Sequence, residues 1–418
     1  MRFTLSLALK NLFRYFRRTL ITAISIALGV GLFIPTEGML RWANRISERN
    51  LKNYEQATVK IGNVAFFDEE EYLPLDQTIV GKNQIIEFLK DQELVYTPEV
   101  KFVCNLINEI TGESYPFVGL AIDPETNRQV YKTYETIYEG SFLQQGNQII
   151  ISKYTADLLN VEMDDYLVIE ANTRYDLHNA DAFRIVGIFE TPDPEVNRNY
   201  FYIPLDAADT FLEMEGERNL ISIQHQVDNG ELQAFADTLQ NELHALGLQE
   251  NEVKTWKDLS QSYLAASQGD KGGSAVILFL IFVIVTVGIA NTMLMAVYER
   301  TGEIGMMRAM GMNRREIVSS FIFEAAGIGL IGGLLGVIIG AGLNWYLIKF
   351  GWDFSLFFQD MSIGYRTSAV FRAEWNPGMM LIGLSFSVVS AAIISIFPAR
   401  RALKMSISET LKHVEKFG

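Results

Sequence analysis

Few side chains in this 418-residue sequence have the types and spacing that catalysis or metal binding requires. No histidine stands at metal-ligand spacing from a cysteine or carboxylate. The four histidines are His178, His225, His244 and His413. One acidic run could be taken as a cation site, although a solvated loop is far more usual for such runs. That run is Asp68, Glu69, Glu70 and Glu71. The pattern predicts a non-catalytic chain that itself binds no cofactor or metal.

A glycine pattern at residues 327–332 matches the G-x-G-x-x-G dinucleotide fingerprint. It lies inside a long uncharged apolar stretch with no strand before it, so the context that this motif needs is missing. Small residues every four positions let two helices approach closely in lipid, and glycines that merely face lipid are the alternative. We therefore assign Gly332, Gly336 and Gly340 to helix packing.

The most specific stretch is a basic loop between two apolar segments, residues 299–317. Ile304, Met307 and Met310 fall on one side of a short helix, and Gly311 can end it. A short amphipathic helix between two membrane segments is typical of a docking surface for a cytoplasmic partner, and a solvated turn is the alternative. The residues assigned to this coupling role are Glu299, Arg300, Glu303, Ile304, Gly305, Met307, Arg308 and Gly311.

Glu324 is the one acid within an otherwise apolar run on the cytoplasmic side of the next apolar stretch. An unpaired carboxylate inside a membrane costs about a few kcal/mol, so we expect it to find a partner within the helix bundle. The functional interpretation is a contact with the coupling region. The alternative is a helix end that starts deeper than the hydropathy suggests.

Four uncharged apolar stretches must position these residues. They are Thr19–Thr36, Gly272–Tyr298, Ala325–Ile348 and Trp375–Ala399. A helix of about 20 apolar residues crosses a bilayer, so each stretch can span. Basic residues gather in 1–18, in 299–316 and in the C-terminal tail, which predicts that both termini are cytoplasmic. A cleaved signal peptide within residues 1–36 is the alternative, and the length of the apolar run and the missing small-x-small site disfavour it.

The net charge of −15 is unevenly divided. Residues 37–271 hold 41 acidic and 18 basic residues, whereas the remainder holds 9 acidic and 17 basic residues. An acidic outer domain is therefore inserted between the first and second spans. The predicted fold is an α-helical membrane protein with four transmembrane helices, arranged one plus three, and a large mixed α/β extracytoplasmic domain. The predicted domains are 1–41 (an amphipathic N-terminal helix and the first span), 42–271 (the outer domain) and 272–418 (three spans, the coupling helix and the tail).

Apolar positions at helical spacing predict that residues 3–16 form the amphipathic helix. They are Leu5, Ala8, Leu9, Leu12, Phe13 and Phe16. The outer domain divides into a membrane-proximal part, 42–115 and 216–271, and a distal part, 116–215. The predicted strands are Ala57–Ile61, Val100–Cys104, Gln148–Ser152, Tyr166–Glu170, Phe183–Phe189 and Tyr200–Ile203. The predicted helices are Lys82–Lys90, Lys153–Asn160, Leu205–Glu213 and Glu231–Leu246.

The loop motif resembles a family signature. Residues 299–311 resemble the ER-x-x-EIG-x-x-RA-x-G pattern of ATP-binding cassette (ABC) transporter permeases of the MacB, FtsX and lipoprotein-releasing type. Residues 321–324 resemble the F-x-x-E that follows, and 398–411 resemble the PARRA ending, with Ser406 where a proline is usual. Residues 8–19 resemble the family's opening, and 183–189 with 202–205 resemble its distal outer subdomain.

The resemblance implies a permease that works by mechanotransmission. Two permeases, identical or related, would pair above a cytoplasmic ABC ATPase that binds ATP and magnesium. The sequence has no G-x-x-x-x-G-K-[ST], so the ATPase is expected in a separate chain. The expected location is the cytoplasmic (inner) membrane, with lipids around the spans, a lipoprotein or lipid cargo, a periplasmic acceptor and no nucleic acid. MacB-like efflux of peptides or antibiotics, and FtsX-like transmission to a cell-wall hydrolase or sensor, are the alternatives.

Overall fold

A computed structural model describes residues 8, 10, 12, 14, 16–354, 366–367 and 370–402. The chain divides into two units. The first, here the membrane unit, comprises Met1–Ala43, Gln268–Gln359 and Ala369–Gly418. The second, the outer unit, comprises Asn44–Ser267 and Asp360–Ser368. The predicted boundaries at 41/42 and 271/272 fall within a few residues of these, but the assignment of 360–368 to the outer unit was not foreseen.

Among the described residues, four long helices and one short helix belong wholly or mostly to the membrane unit. The long helices are the first, Phe16–Leu51, the second, Gln261–Glu299, the third, Arg314–Phe350, and the fourth, Pro377–Ala402. The short one is Thr301–Ala309, called the coupling helix below. A short β-ladder pairs Trp352–Asp353 (β11) with Val370–Phe371 (β12).

Three stretches among the described residues are long and apolar enough to cross a membrane: Thr19–Gln56, Arg314–Phe350 and Pro377–Arg401. Large apolar side chains such as Leu28, Ile338 and Phe397 are more than half exposed on these helices, as lipid contact requires. The predicted span Gly272–Tyr298 lies within the second long helix. Its crossing, and therefore the total of four spans, stays a prediction.

Glycines let the third long helix lie close to its neighbours. A Cβ added at Gly336 would lie 2.7 Å from the Val30 Cβ, and one added at Gly332 would lie 2.8 Å from the Ala23 carbonyl oxygen. Gly340 likewise faces Ile34 of the first helix. Gly332, Gly336 and Gly340 thus lie so close to the first helix that a larger side chain would not fit between the two helices. On another side of the same helix, Gly329 and Gly333 face the fourth helix at Ser387.

The described part of the N-terminal segment is helical and amphipathic in part. Ala8 and Leu12 are buried, whereas Lys10 and Arg14 are exposed. Phe16, which the sequence places on the apolar face, is 60% exposed. The other predicted members of that face, at positions 5, 9 and 13, lie outside the described residues.

Ten strands among the described residues form one mixed sheet in the outer unit. They are β1 Val59–Asn63, β2 Val95–Asn108, β3 Ser114–Ile122, β4 Ile137–Gly140, β5 Gln148–Ser152, β6 Tyr166–Asn172, β7 His178–Phe189, β8 Tyr200–Pro204, β9 Leu220–Gln224 and β10 Asn251–Thr255. Their order in the sheet is β10-β1-β9-β2-β3-β8-β5-β7-β4, and β6 pairs with β2 and β7. The six predicted strands all lie within or overlap observed ones, and β3, β4, β9 and β10 are additional.

Short helices connect these strands. The α-helices are Val64–Asp68, Lys82–Asp91, Pro124–Val130, Lys153–Leu159, Pro194–Asn199, Leu205–Phe211, Leu232–Ala245 and Trp256–Leu259. A π-helical turn, Lys52–Gln56, follows the first long helix, and a 3-10 turn covers Thr133–Thr136. The four predicted helices match Lys82–Asp91, Lys153–Leu159, Leu205–Phe211 and Leu232–Ala245 to within two residues at each end.

The outer unit has two main apolar cores, and strand β2 crosses from one to the other. Its first residues, from Val95, pair with β9 beside the core around Ile61 and Leu243. Its later residues pair with β3 and β6 over the core around Phe102 and Phe183. The predicted division at about residue 116 falls just inside β3, which pairs with β2 from Glu99 to Ile107, and the division itself stays a prediction.

Candidate coupling site

The coupling helix is a single short helix with defined ends. Arg300 precedes it, and it stops at Met310, where the backbone N–H bonds back to the Met306 carbonyl oxygen at 2.9 Å. Gly311 follows with φ at +91°, a conformation that glycine adopts without strain. The third long helix then begins, and the Glu316 carboxylate accepts a 2.9 Å hydrogen bond from the Asn313 backbone N–H. The predicted short helix and its stop at Gly311 are thus present.

A chain of ion pairs runs from the N-terminal segment through the coupling helix into the third long helix. The Arg14 Nη1 donates to Glu303 Oε1 at 3.1 Å. The other Glu303 oxygen accepts from Arg300 Nε at 3.0 Å. Arg300 Nη1 in turn donates to Glu324 Oε2 at 2.9 Å. The partner expected for Glu324 inside the bundle is therefore Arg300, which belongs to the coupling region.

Burial increases along this ion-pair chain. The Arg14 side chain is 66% exposed and Glu303 is 34% exposed, whereas Arg300 and Glu324 are 4% and 1% exposed. Burial acts against the charged form of Arg300, but Glu324 and Glu303 outweigh it and raise the pKa of the Arg300 guanidinium. A buried pair of this kind adds little net stability, yet it is costly to break from one side. It therefore fixes the coupling helix to the third long helix in one arrangement.

An apolar cluster supports the same contact. Ile304 is 1% exposed and packs with Val297, Ile317, Phe321 and Ala399. Met307 packs against the edge of this cluster. The Arg300 guanidinium lies 5.8 Å from the centre of the Phe321 ring. The coupling helix thus has an apolar face and a charged residue that both point into the membrane unit.

The outward face of the coupling helix differs from the predicted one. The coupling residues assigned from the sequence include Glu303, Ile304, Met307 and Arg308. The structure buries Ile304 and engages Glu303 in ion pairs within the unit. Met306 and Met310 are 55% and 79% exposed instead. Ile304 is thus covered within the membrane unit, whereas Met310, which the sequence places on the same side of the helix, is exposed. A partner contact through Ile304 stays a prediction.

The remaining coupling residues lie around this helix. Gly305 is buried, Arg308 is half-buried, and Glu299 and Gly311 are exposed. A Cβ at Gly311 would meet open space, so the positive φ alone favours glycine there. That these residues contact a partner stays a prediction.

Two residues of structural consequence were missed by sequence reasoning. Arg14 is one of the basic residues that gather in 1–18 and has no role assigned from the sequence, yet it closes the ion-pair chain. Arg366 lies between the third and fourth apolar stretches and drew no assignment from the sequence, yet it is buried among carboxylates of the outer unit. Neither had a local signal, since their partners lie 289 and 311 residues away in the chain.

Comparison with known proteins places the chain in a class. Residues 275–407 match the model for the FtsX-like permease C-terminal domain. Over 412 residues the chain is 25% identical to an uncharacterized ABC transporter permease of Methanocaldococcus jannaschii, covering 94% of this chain and 90% of that one. The chain therefore carries an FtsX-like permease domain and is similar along most of its length to an ABC transporter permease.

Other similarities are partial. Over 246 residues the chain is 28% identical to the macrolide export ATP-binding/permease protein MacB of Bdellovibrio bacteriovorus, covering 56% of this chain and 35% of that one. The chain thus spans about a third of the length of that relative. The periplasmic region of MacB from Actinobacillus actinomycetemcomitans covers 52% of this chain at 14% identity, with a TM-score of 0.35, too low to establish a common fold.

Proposed function

We propose that this chain is the permease subunit through which a cytoplasmic ABC ATPase, a separate polypeptide, drives movement of the outer unit. The observation that carries the proposal is the ion-pair chain Arg14–Glu303–Arg300–Glu324, which ties the coupling helix to a carboxylate inside the third long helix. The chain itself performs no chemistry in this proposal. ATP and magnesium act in the partner, and two permeases, identical or related, form the membrane part.

The contacts of the coupling helix suggest how force enters the permease. A partner that pushes on the exposed Met306 and Met310 would move the helix that carries Ile304 and Glu303. Ile304 is packed against Ile317 and Phe321 of the third long helix, so that helix would have to follow. Packed interfaces and buried pairs have discrete arrangements, and they transmit a small shift without absorbing it.

The proposed location is the cytoplasmic membrane, with four spans, both termini in the cytoplasm and the outer unit on the opposite side. The apolar helices support it. So does the charge division, because the outer insert is strongly acidic and the basic residues gather beside the spans.

For the cargo we propose a lipoprotein or lipid released from the outer leaflet of the membrane. The size and the acidity of the outer insert support this choice. Depletion of the protein should then leave lipoproteins in the cytoplasmic membrane, and unchanged lipoprotein sorting would contradict it.

Export of antibiotics or peptides is the second candidate, because several relatives are named as macrolide export proteins. In that case depletion should raise macrolide sensitivity and leave lipoprotein sorting intact. Recovery of a cell-wall hydrolase on the outer unit, with no lipidated cargo, would instead favour an FtsX-like transmitter.

Substitution of the exposed methionines tests the docking step. Met310→Glu places a charge where an apolar contact is expected, and loss of a central interface contact costs about 2 kcal/mol, or roughly 30-fold in affinity. We expect the ATPase to be lost from the purified complex while the permease reaches the membrane at normal levels. Glu242→Lys, an exposed charge change on a helix of the outer unit, is the matched control. Normal ATPase recovery with Met310→Glu would place the docking surface elsewhere.

A further inference from the structure

A segment that connects two membrane helices belongs to the outer unit. Arg366 and Thr367 lie in sequence between the third and fourth long helices, yet they group with the outer unit. Both sides of the Arg366 backbone are held there. Its N–H donates to Ser47 Oγ at 2.9 Å, and its carbonyl oxygen accepts from Asn50 Nδ2 at 2.6 Å. Thr367 beside it is 3% exposed.

The Arg366 side chain is held by two carboxylates. Its Nη1 makes a very short contact with Glu55 Oε2 and lies 3.4 Å from Asp193 Oδ2. Glu55 and Asp193 are almost completely buried, and Arg366 is 16% exposed. Tyr200 also donates to Glu55, at 2.9 Å. Asp193 is fixed on its other side, since its Oδ1 accepts from the Glu195 backbone N–H at 3.0 Å.

Arg366, Glu55 and Asp193 form a triad, and its electrostatics require a cation at position 366. Burial raises the pKa of Asp193 to about 6, although Arg366 acts against that rise. Burial likewise opposes the charge on Arg366, but Glu55 and Asp193 outweigh it and raise the pKa of its guanidinium. Removing the cation would leave two buried carboxylates close together, which is far more costly than breaking an exposed ion pair.

The triad gathers distant parts of the outer unit. Glu55 lies in the π-helical turn Lys52–Gln56 after the first long helix, and Asp193 caps the short helix Pro194–Asn199 that leads into β8. β8 and Tyr202 within it belong to the apolar core that also contains Phe189 and Ile122. A displacement of residue 366 would therefore act on the sheet of the outer unit at a buried, rigid point.

We propose that Arg366 is a positioning residue that anchors the connection between the third and fourth long helices in the outer unit, so that movement of these helices is passed to the sheet at the Glu55–Asp193 pair. The inference rests on the proposed function, because it names the place where transmitted motion enters the outer unit. The anchor consists of residues that the structure describes: Ser47, Asn50, Glu55, Asp193, Arg366 and Thr367.

The anchor itself is tested on the full chain in lipid nanodiscs without any ATPase. Hydrogen exchange at the amides of Arg366 and Thr367 should be slow in the wild type and rise by about 100-fold in Arg366→Gln, because loss of a buried charge partner opens the contact. Arg366→Lys should give an intermediate rise. Arg372→Gln, an exposed arginine that follows in the same connection, is the matched control and should change nothing. Equal exchange in the wild type and Arg366→Gln would overturn the anchor.

Transmission is tested on the same variants purified with their ATPase. In the wild type, ATP with vanadate should change exchange in peptides containing Glu55 and Asp193. In Arg366→Gln this change should disappear while ATP hydrolysis continues, whereas a retained change would overturn the inference. Ser47→Ala removes the hydroxyl oxygen that accepts from the Arg366 N–H and leaves both carboxylates paired, so it should weaken the change. This variant supplies the measurement if Arg366→Gln does not fold. If ATP with vanadate changes no exchange in the outer unit of the wild-type complex, the proposed function is contradicted. The anchor would then be judged only by the exchange experiment without ATPase.

Discussion

The Arg300–Glu324 pair offers the sharpest test of the coupling site by substitution. Arg300→Met removes the guanidinium 2.9 Å from Glu324 Oε2 while that carboxylate stays buried at 1% exposure. Breaking a buried pair from one side costs about 3–5 kcal/mol. With roughly 2–4 °C per kcal/mol for a mid-sized domain, the melting temperature should fall by roughly 6–20 °C.

Replacing both partners should behave differently. Apolar side chains that replace a whole buried ion pair cost little, so Arg300→Met with Glu324→Leu should recover most of the stability lost in Arg300→Met. We nevertheless expect the double variant to couple less well, because the Arg300–Glu324 contact no longer supports the apolar packing between the coupling helix and the third long helix. ATP hydrolysis by the complex would proceed without a response of the outer unit.

The assay is scanning fluorimetry of the purified variants in one detergent, combined into a double-mutant cycle. Arg14→Met is the matched control, since it breaks an exposed pair in the same ion-pair chain and should change stability by less than about 1 kcal/mol. If Arg300→Met melts within 2 °C of the wild type, or if the double variant is no more stable than Arg300→Met, the buried pair does not hold the coupling helix and the reasoning is refuted.

Three further predictions concern packing, protonation and thiol reactivity. Gly336→Leu should separate the first and third helices, because even a Cβ at this position would lie 2.7 Å from the Val30 Cβ. Folded protein should then not be recovered, whereas the control Gly342→Leu, whose side chain would enter open space, should fold normally. Asp193 has its pKa raised from the usual 3.8 to about 6, so the stability that it contributes is complete below pH 4 and is lost as the pH rises through 6. Between pH 4 and 7 the free energy of unfolding of the wild type should fall by up to about 3 kcal/mol relative to that of Asp193→Asn. Urea titrations measure both values, and a difference between the two proteins that does not change with pH would contradict this. Burial raises the pKa of the Cys104 thiol, so maleimide should label it only after unfolding, and rapid labelling of the folded chain would show that the core around it is open.

Strong local signals made much of the fold predictable. Strand β5 has the predicted bounds, Gln148–Ser152, because it is a short apolar run between turn residues. Strand β3 gave no such signal, since it contains Pro116 and Gly119, both unusual within strands. The structure supplies the reason for Gly119, whose missing side chain makes room for the Phe102 ring.

The site was only partly predictable, because its two helix faces look alike in the sequence. Ile304 and Met307 lie on one side of the coupling helix, and Met306 and Met310 lie on the other. Periodicity identifies an apolar face, but it does not show which of two such faces the rest of the protein covers. The same limit applies to Arg366, whose carboxylate partners are brought to it by the sheet of the outer unit and by no nearby sequence.

The central claim is that a cytoplasmic ATPase docks on the exposed face of the coupling helix. Its most direct test is a photo-crosslinking amino acid at position 310, used in living cells, with identification of the captured protein by mass spectrometry. The account predicts a polypeptide with a G-x-x-x-x-G-K-[ST] motif, captured at position 310 and not at the buried position 304. A chain that crosslinks only to lipid or to other proteins at position 310 would contradict the claim.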